Sequence, residues 1–363
     1  MYQHHWKNRL LQTLRPLQQQ ANQVQSWLKL QNLTLTSGKL TGSDTSIRML
    51  TLGSSNLLLQ AFFEAASTRS RVIGQVKPLH AAKVFKEYRQ NADLILLPCT
   101  PFSPPADETS LLLPDYLDAT ILFDESEEQW RKNLRELNKR GLKQAAKRQY
   151  QFRAGSTVQD YELFYHRMLQ PYVQQRHGYH AYVESCDAFC ADTHGAVLEF
   201  VELDGRPVAG FHLKLSARHP LAYFNKIGLS AEASADKHLM RELNCLIYQR
   251  MVQLAREAGH HGVHLGQTPP ILDNGITWYK AGWGAVFSPN LSLQRYRLHF
   301  CSERAPLIQQ HAHPLVTLQH GRLCAQLWCN AENREDLQAQ ARGWQFKGLD
   351  ALYFSEPGAA GKS

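Results

Sequence analysis

The sequence predicts a mixed α/β fold, on three observations. Short stretches alternate with period two from Leu33 onward, as in Leu33-Thr34-Leu35-Thr36 and Ile47-Arg48-Met49-Leu50-Thr51-Leu52. That period places every second side chain on one face of a strand. Two apolar runs, Ala196 to Leu203 and Arg206 to Leu213, flank Asp204-Gly205, a dipeptide that accepts positive φ and so joins antiparallel strands. A long segment from Asp236 to Ala258 repeats Leu239, Leu243, Leu246, Ile247, Leu254 and Ala258 at helical spacing, with Gly259 just past its end.

The other elements follow in order. Residues 1–30 read as a Gln-rich helix with Leu10, Leu14, Leu17, Val24 and Leu28 as its stripe, interrupted at Pro16. Leu57 to Ala66 fits helix or strand equally. His80 to Gln90 reads as a helix before the buried strand Asp93 to Leu97, and the four prolines between Pro98 and Ala106 make a loop. A strand near Ala119 to Phe123 precedes a single basic helix from Trp130 to Arg148, capped by Asp124 or Ser126. Trp130, Leu134, Leu137, Gly141, Leu142 and Ala145 share one face of it; Arg131, Lys132, Arg135, Lys139, Arg140, Lys143, Lys147 and Arg148 take the other. Val158 to Val173 and Cys186 to Cys190 read as helices, Leu221 to Leu229 and Gly262 to Gly266 as strands, and Gly275 to Ala281 as a short helix. Strands near Val286, Leu293 to Leu298, Leu323 to Trp328 and Leu352 to Phe354, with a polar helix at Glu332 to Arg342, complete the chain before a frayed tail, Glu356 to Ser363.

Composition bounds the function classes. The chain has 363 residues, 43% hydrophobic and 20% charged, which excludes wholesale disorder and provides cores for two or three domains. Mean hydropathy is −0.41, and no apolar run approaches the roughly 20 residues of a spanning helix. Met1 to Lys7 lack the apolar stretch of a secretory signal, so the expectation is a soluble cytoplasmic protein. Its seven cysteines, odd in number and dispersed, then read as reduced thiols. Forty basic against 32 acidic residues give +8, an excess that favours anionic partners. Much of it lies on the basic helix, where an RNA or another polyanion is the candidate partner.

Candidate chemistry gathers between Glu199 and Phe287. A strand that ends in a loop before a long helix aims free backbone N–H groups, and the positive end of the helix dipole, at an anion. Leu229 and Ser230 at the strand end, with Lys237 and His238 in the first helical turn, are therefore the candidate phosphate holders of a donor. His264, at a strand end, is a candidate proton acceptor. Glu199 and Glu202 alternate with apolar neighbours and are read as sharing one face. Cys186, Cys190 and His194 form an incomplete zinc pattern, and His260, His261 and His264 need not converge, so no metal is expected.

Several stretches together resemble a known superfamily. Phe200-Val201-Glu202-Leu203-Asp204-Gly205-Arg206-Pro207-Val208-Ala209-Gly210, then Leu254 to Gly259, His264-Leu265-Gly266-Gln267-Thr268 and Ile276-Thr277-Trp278-Tyr279-Lys280-Ala281-Gly282-Trp283-Gly284 are similar, in order and spacing, to the acyltransferase domain of GCN5-related N-acetyltransferases (GNAT) and Fem-type aminoacyl ligases of cell-wall synthesis. The basic helix resembles the same family's lead-in segment. The resemblance implies a GNAT-like acyltransferase domain at 156–300, a degenerate GNAT-like half at 1–123, a basic linker helix at 124–155, and a C-terminal segment at 301–363 packing on the N-terminal half. It implies an N- or O-acyltransferase using acetyl-CoA or another acyl-CoA, acting on an amine or hydroxyl of a sugar, peptide or cell-envelope precursor. An aminoacyl-tRNA-dependent ligase is the alternative donor reading, and a non-catalytic protein holding an anionic polymer is the alternative from another class. By position, Tyr279 matches the tyrosine that protonates the leaving thiolate and Lys280 the lysine of Fem-like ligases. The family's glycine-bearing phosphate loop is replaced by Ser230-Ala231-Glu232-Ala233-Ser234-Ala235.

Overall fold

The computed structural model describes residues 24–53, 56–107, 110–177, 183–290 and 295–358. Of the expected N-terminal helix, residues 24–28 are helical; residues 1–23, and 359–363 of the expected tail, lie outside the described residues. The strands are β1 (Gln31–Lys39), β2 (Ser46–Leu52), β3 (Arg69–Val76), β4 (Leu94–Pro98), β5 (Leu111–Pro114), β6 (Leu117–Leu122), β7 (Gln151–Gly155), β8 (Ala196–Leu203), β9 (Arg206–Lys214), β10 (Leu221–Leu229), β11 (Gly262–Thr268), β12 (Val286–Pro289), β13 (Arg295–Phe300), β14 (Leu315–Gln319), β15 (Arg322–Trp328) and β16 (Leu349–Ser355). They form three sheets in the orders β3-β1-β2-β4-β13-β5, β12-β6-β11-β10-β9-β8-β7 and β14-β15-β16. The chain is thus mixed α/β, as its patterning predicts.

Two compact units result: residues Met1–Leu117, Thr268–Trp278 and Phe287–Ser363 form one, and Asp118–Gln267 with Tyr279–Val286 the other. In the first, β2 and β4 pair in parallel from Met49 to Thr51 against Leu94 to Leu96. A parallel neighbour needs a crossover, which contains β3 and the Ala81–Tyr88 helix. The apolar run of β4 divides by parity: Leu94 and Leu96 join the core of Leu40, Met49, Tyr296 and Leu298, whereas Ile95 and Leu97 meet Leu50, Ala81 and Val84. Both faces are covered, so the run is continuous rather than alternating. The ambiguous Leu57 to Ala66 segment contains a 3₁₀ helix, Asn56–Ala61.

In the second unit, β7 to β10 are antiparallel neighbours. Asp204 (φ 52°) and Gly205 (φ 72°) make the β8–β9 turn with both residues left-handed. The Val158–Phe164 helix, a π-helical turn at Tyr165–Leu169 and the Cys186–Ala191 helix bury Tyr161, Phe164, Met168, Leu169 and Phe189 against Leu198 and Phe200. The Lys237–Glu257 helix buries Leu243, Cys245, Ile247, Tyr248, Met251, Val252 and Ala255, a broader stripe than its leucines indicate.

Two sequence expectations are corrected here. The basic segment is not one helix but two, Glu127–Asn133 and Glu136–Ala145, because Leu134 is extended (ψ 149°) and the Arg135 N–H donates to Gly282 O at 3.1 Å. That tertiary bond replaces a helical one, and Leu134 is buried; the expected 124–155 linker helix ends instead in β7, which pairs with β8. Glu199 and Glu202 do not share a face. Glu199 is buried against Arg250 of the long helix at 2.8 Å, whereas Glu202 accepts from Arg153 of β7; a separation of three in a period-two strand divides them.

Candidate active site

The site forms where β10 and β11 part. Their parallel pairing lasts three residue pairs, Leu221–Gly262, Ala222–Val263 and Tyr223–His264. Beyond it, the β9–β10 register slips between Phe224 and Lys226, a bulge that bends the strand. On the other side Gly266 takes φ 76°, a conformation open to glycine without strain. The six remaining residues of β10 and four of β11 are left unpaired with one another, and the gap between them is the wedge of the site.

Each flank of the wedge contributes side chains. The His264 ring stacks on Tyr223, centroids 5.0 Å apart and 13° from parallel. The Gly266 N–H donates to His264 Nδ1 at 3.1 Å, which makes Nδ1 the acceptor and places the proton of the neutral ring on Nε2. Nε2 in turn lies 3.4 Å from Oδ1 of Asp118 on β6. The Gly275–Gly282 helix brings Lys280, 7% exposed, to the same strand end, where Nζ donates to Gln267 O at 3.0 Å. Burial lowers the Lys280 pKa to about 8, opposed by the Asp118 charge. Two of its three N–H donors meet no partner among the described residues.

Tyr279 turns the other way. Its ring packs edge-on to Tyr248 at 5.3 Å and lies 6.4 Å from Trp283, and Tyr248 touches Phe224, the first β10 residue beyond the paired register. The hydroxyl is buried with no hydrogen-bond partner in range among the described residues, and burial raises its pKa well above the usual 10. Its proton is therefore held throughout the physiological range. Lys280 and Tyr279 thus project to different sides of their helix, Lys280 onto β11 and Tyr279 toward β10 and the long helix.

The expected phosphate cradle takes a different form. The Asp236 carboxylate accepts from the His238 and Leu239 N–H groups at 2.8 and 3.1 Å, and Ser230 Oγ accepts from Ala233 N–H. The backbone donors foreseen for an anion are therefore already capped. Lys237 and His238 are exposed, and Leu229 is buried in β10. The structure does not bring these four residues to His264 and Lys280, since Leu229 stands six residues, roughly 20 Å of strand, beyond Tyr223.

Asp118 is the site residue that sequence reasoning missed, because only the sheet order places β6 beside β11. A cavity of about 500 Å³ borders Tyr223 and His264, lined also by Lys214, Ser216, His219, Pro220, Leu221 and Ala222. Among the described residues no group of three or more His, Cys, Asp or Glu is placed to hold a metal ion.

No protein-family model matches the chain, and no curated protein matches it. Its fold is similar to known structures at low identity. FemX matches with 12% identity and a TM-score of 0.41, over 76% of this chain and 85% of that one. L-PGS from Bacillus licheniformis matches with 12% identity and a TM-score of 0.35, over 76% and 82%. A GCN5-related N-acetyltransferase from Kribbella flavida matches with 10% identity and a TM-score of 0.27, over 79% and 58%.

Proposed function

We propose that the protein is an acyltransferase that moves an acyl group from an acyl-CoA thioester to an amine or hydroxyl of a sugar, peptide or cell-envelope precursor. The observation that carries this reading is Lys280: a buried cation at the mouth of the wedge, tethered by one hydrogen bond and with two donors left over. Donors fixed in a water-poor site stabilise the oxygen of a tetrahedral intermediate strongly, because they need no reorganisation as charge develops.

The other residues take roles that fit their geometry. Asp118 takes the proton of the attacking amine or hydroxyl. His264, with Nδ1 held by Gly266, orients that carboxylate through Nε2–H instead of acting as the base itself. As the C–S bond breaks its electron pair goes to sulfur, and the thiolate takes its proton from solvent; Tyr279, its hydroxyl buried beside Tyr248 and Trp283, walls this side of the site. Lys237 and His238 would meet the donor's phosphates through their side chains, since the His238 and Leu239 backbone N–H groups are capped by Asp236.

A second donor, an aminoacyl-tRNA, is favoured by one observation. Of the basic segment, Arg131, Lys132, Lys139 and Arg148 are ion-paired to glutamates. Arg140, Lys143 and Lys147 are exposed and make no ion pair among the described residues, so they are free to contact phosphates.

The test is release of free thiol from acetyl-CoA and longer acyl-CoAs in the presence of amine and hydroxyl acceptors. Lys280→Ala should lower turnover about 100-fold or more, with the protein still folded by circular dichroism. Wild-type turnover in that variant would refute the assignment.

A further inference from the structure

Resting on the acyltransferase reading, we infer that the cavity beside Tyr223 and His264 holds an apolar acyl chain, so that the donor group is longer than acetyl. Two observations carry this. The first is the chemistry of the walls. Pro220, Leu221, Ala222 and the Tyr223 ring present carbon to a space of about 500 Å³, a volume typical of small-molecule pockets. The polar groups around it are engaged: the Lys214 ammonium is bound by Asp192, and both His264 nitrogens face partners. Ser216 and His219 complete the lining. A sugar needs many hydrogen-bonding partners in its walls and finds few here, whereas a hydrocarbon needs none.

The second observation is order along the strand. The cavity borders His264, and Lys280 Nζ sits at Gly266 and Gln267, where the strands have already parted. A thioester whose carbonyl oxygen lies on Lys280 directs its leaving group one way and its acyl substituent the other. Tyr279 packs through Tyr248 toward Phe224, beyond the paired register, and the leaving group takes that side of the wedge. The acyl substituent then runs back past His264 into the cavity.

The probe is 11-(dansylamino)undecanoic acid, whose fluorescence rises in apolar surroundings, added to the full chain. It should bind one per chain and be displaced by octanoyl-CoA at a concentration at least tenfold lower than by acetyl-CoA. Ser216→Trp, which adds bulk to the lining, and Tyr223→Ala, which removes the aromatic wall, should each weaken the probe at least fivefold at an unchanged melting temperature. Displacement by octanoate but by no CoA thioester would support the chain pocket and refute the CoA-dependent reading. Equal displacement by acetyl- and octanoyl-CoA, indifference of the probe to both substitutions, or acetyl-CoA turnover without probe binding would overturn the inference and leave the transfer reading standing.

Discussion

Lys280 couples stability to activity through a single proton. Its pKa is about 8 in the folded chain against 10.5 for the free side chain. Below pH 8 both folded and unfolded chains carry the charge, and the folded one bears the cost of burying it. Between about 8 and 10.5 the unfolded chain holds the extra proton, so this contribution to stability rises with pH across that window. Activity should run the opposite way, falling as pH passes 8 and the cation is lost, as a pH–rate profile would show. Lys280→Met should therefore be inactive yet about 2 kcal/mol more stable at pH 7, the roughly 3 kcal/mol of charge burial less about 1 for the bond to Gln267. Denaturant titration would measure the gain. His212 carries a second linkage. It is fully buried, with Nδ1 on Asn225 and Nε2 without a partner among the described residues, and burial lowers its pKa to about 4. The unfolded chain takes up this proton first as pH falls from 6.5, so stability is lost between 6.5 and 4. His212→Gln should flatten that acid loss in pH-dependent thermal melts.

Elements here are positioned by the absence of side chains as much as by their presence. A Cβ on Gly228 would stand 2.6 Å from Leu169 N and 2.7 Å from the Met168 carbonyl carbon, so β10 touches the backbone of the π-helical turn directly. Gly228→Ala should cost more than about 2 kcal/mol, since the clash is with backbone that cannot swing aside; thermal melting would show it. Gly141 lets the Glu136–Ala145 helix approach the long helix, where a Cβ would meet Cys245 Sγ at 2.4 Å. Glycine positions in the sequence mark such contacts without naming the partner. The break at Leu134 has a similar cause: local propensity favours one continuous helix, and a carbonyl from Gly282, far along the chain, prevails.

Across the whole molecule, charge separates the two donor readings. Neutralising three phosphate contacts gives a log–log salt slope of roughly 2 to 3. Binding of charged tRNA that loses that slope in a triple Arg140→Ser, Lys143→Ser, Lys147→Ser variant would favour the tRNA donor. A rise in melting temperature with acyl-CoA, at about 2.7 kcal/mol for ligand at 100 times its dissociation constant, unaffected by the same three substitutions, would favour the thioester. The parallel pairs β2–β4 and β10–β11 are short, and each is joined by a crossover that contains a helix.

Local pattern was enough for β1, β2, β4, β10, β11 and β15, the Asp204-Gly205 hairpin, the long helix and the placement of Tyr279-Lys280 on a short helix after a strand, because periodicity and turn chemistry are local properties; β3, β7 and β14 went unread. Tertiary structure alone decided what those residues face. It set Asp118 beside His264 through the order of strands, occupied Nδ1 with the Gly266 N–H, and capped the long helix with Asp236 so that its donors were no longer free. Which hydrogen bonds remain unmade depends on groups distant in the chain, and no window along the sequence contains both partners.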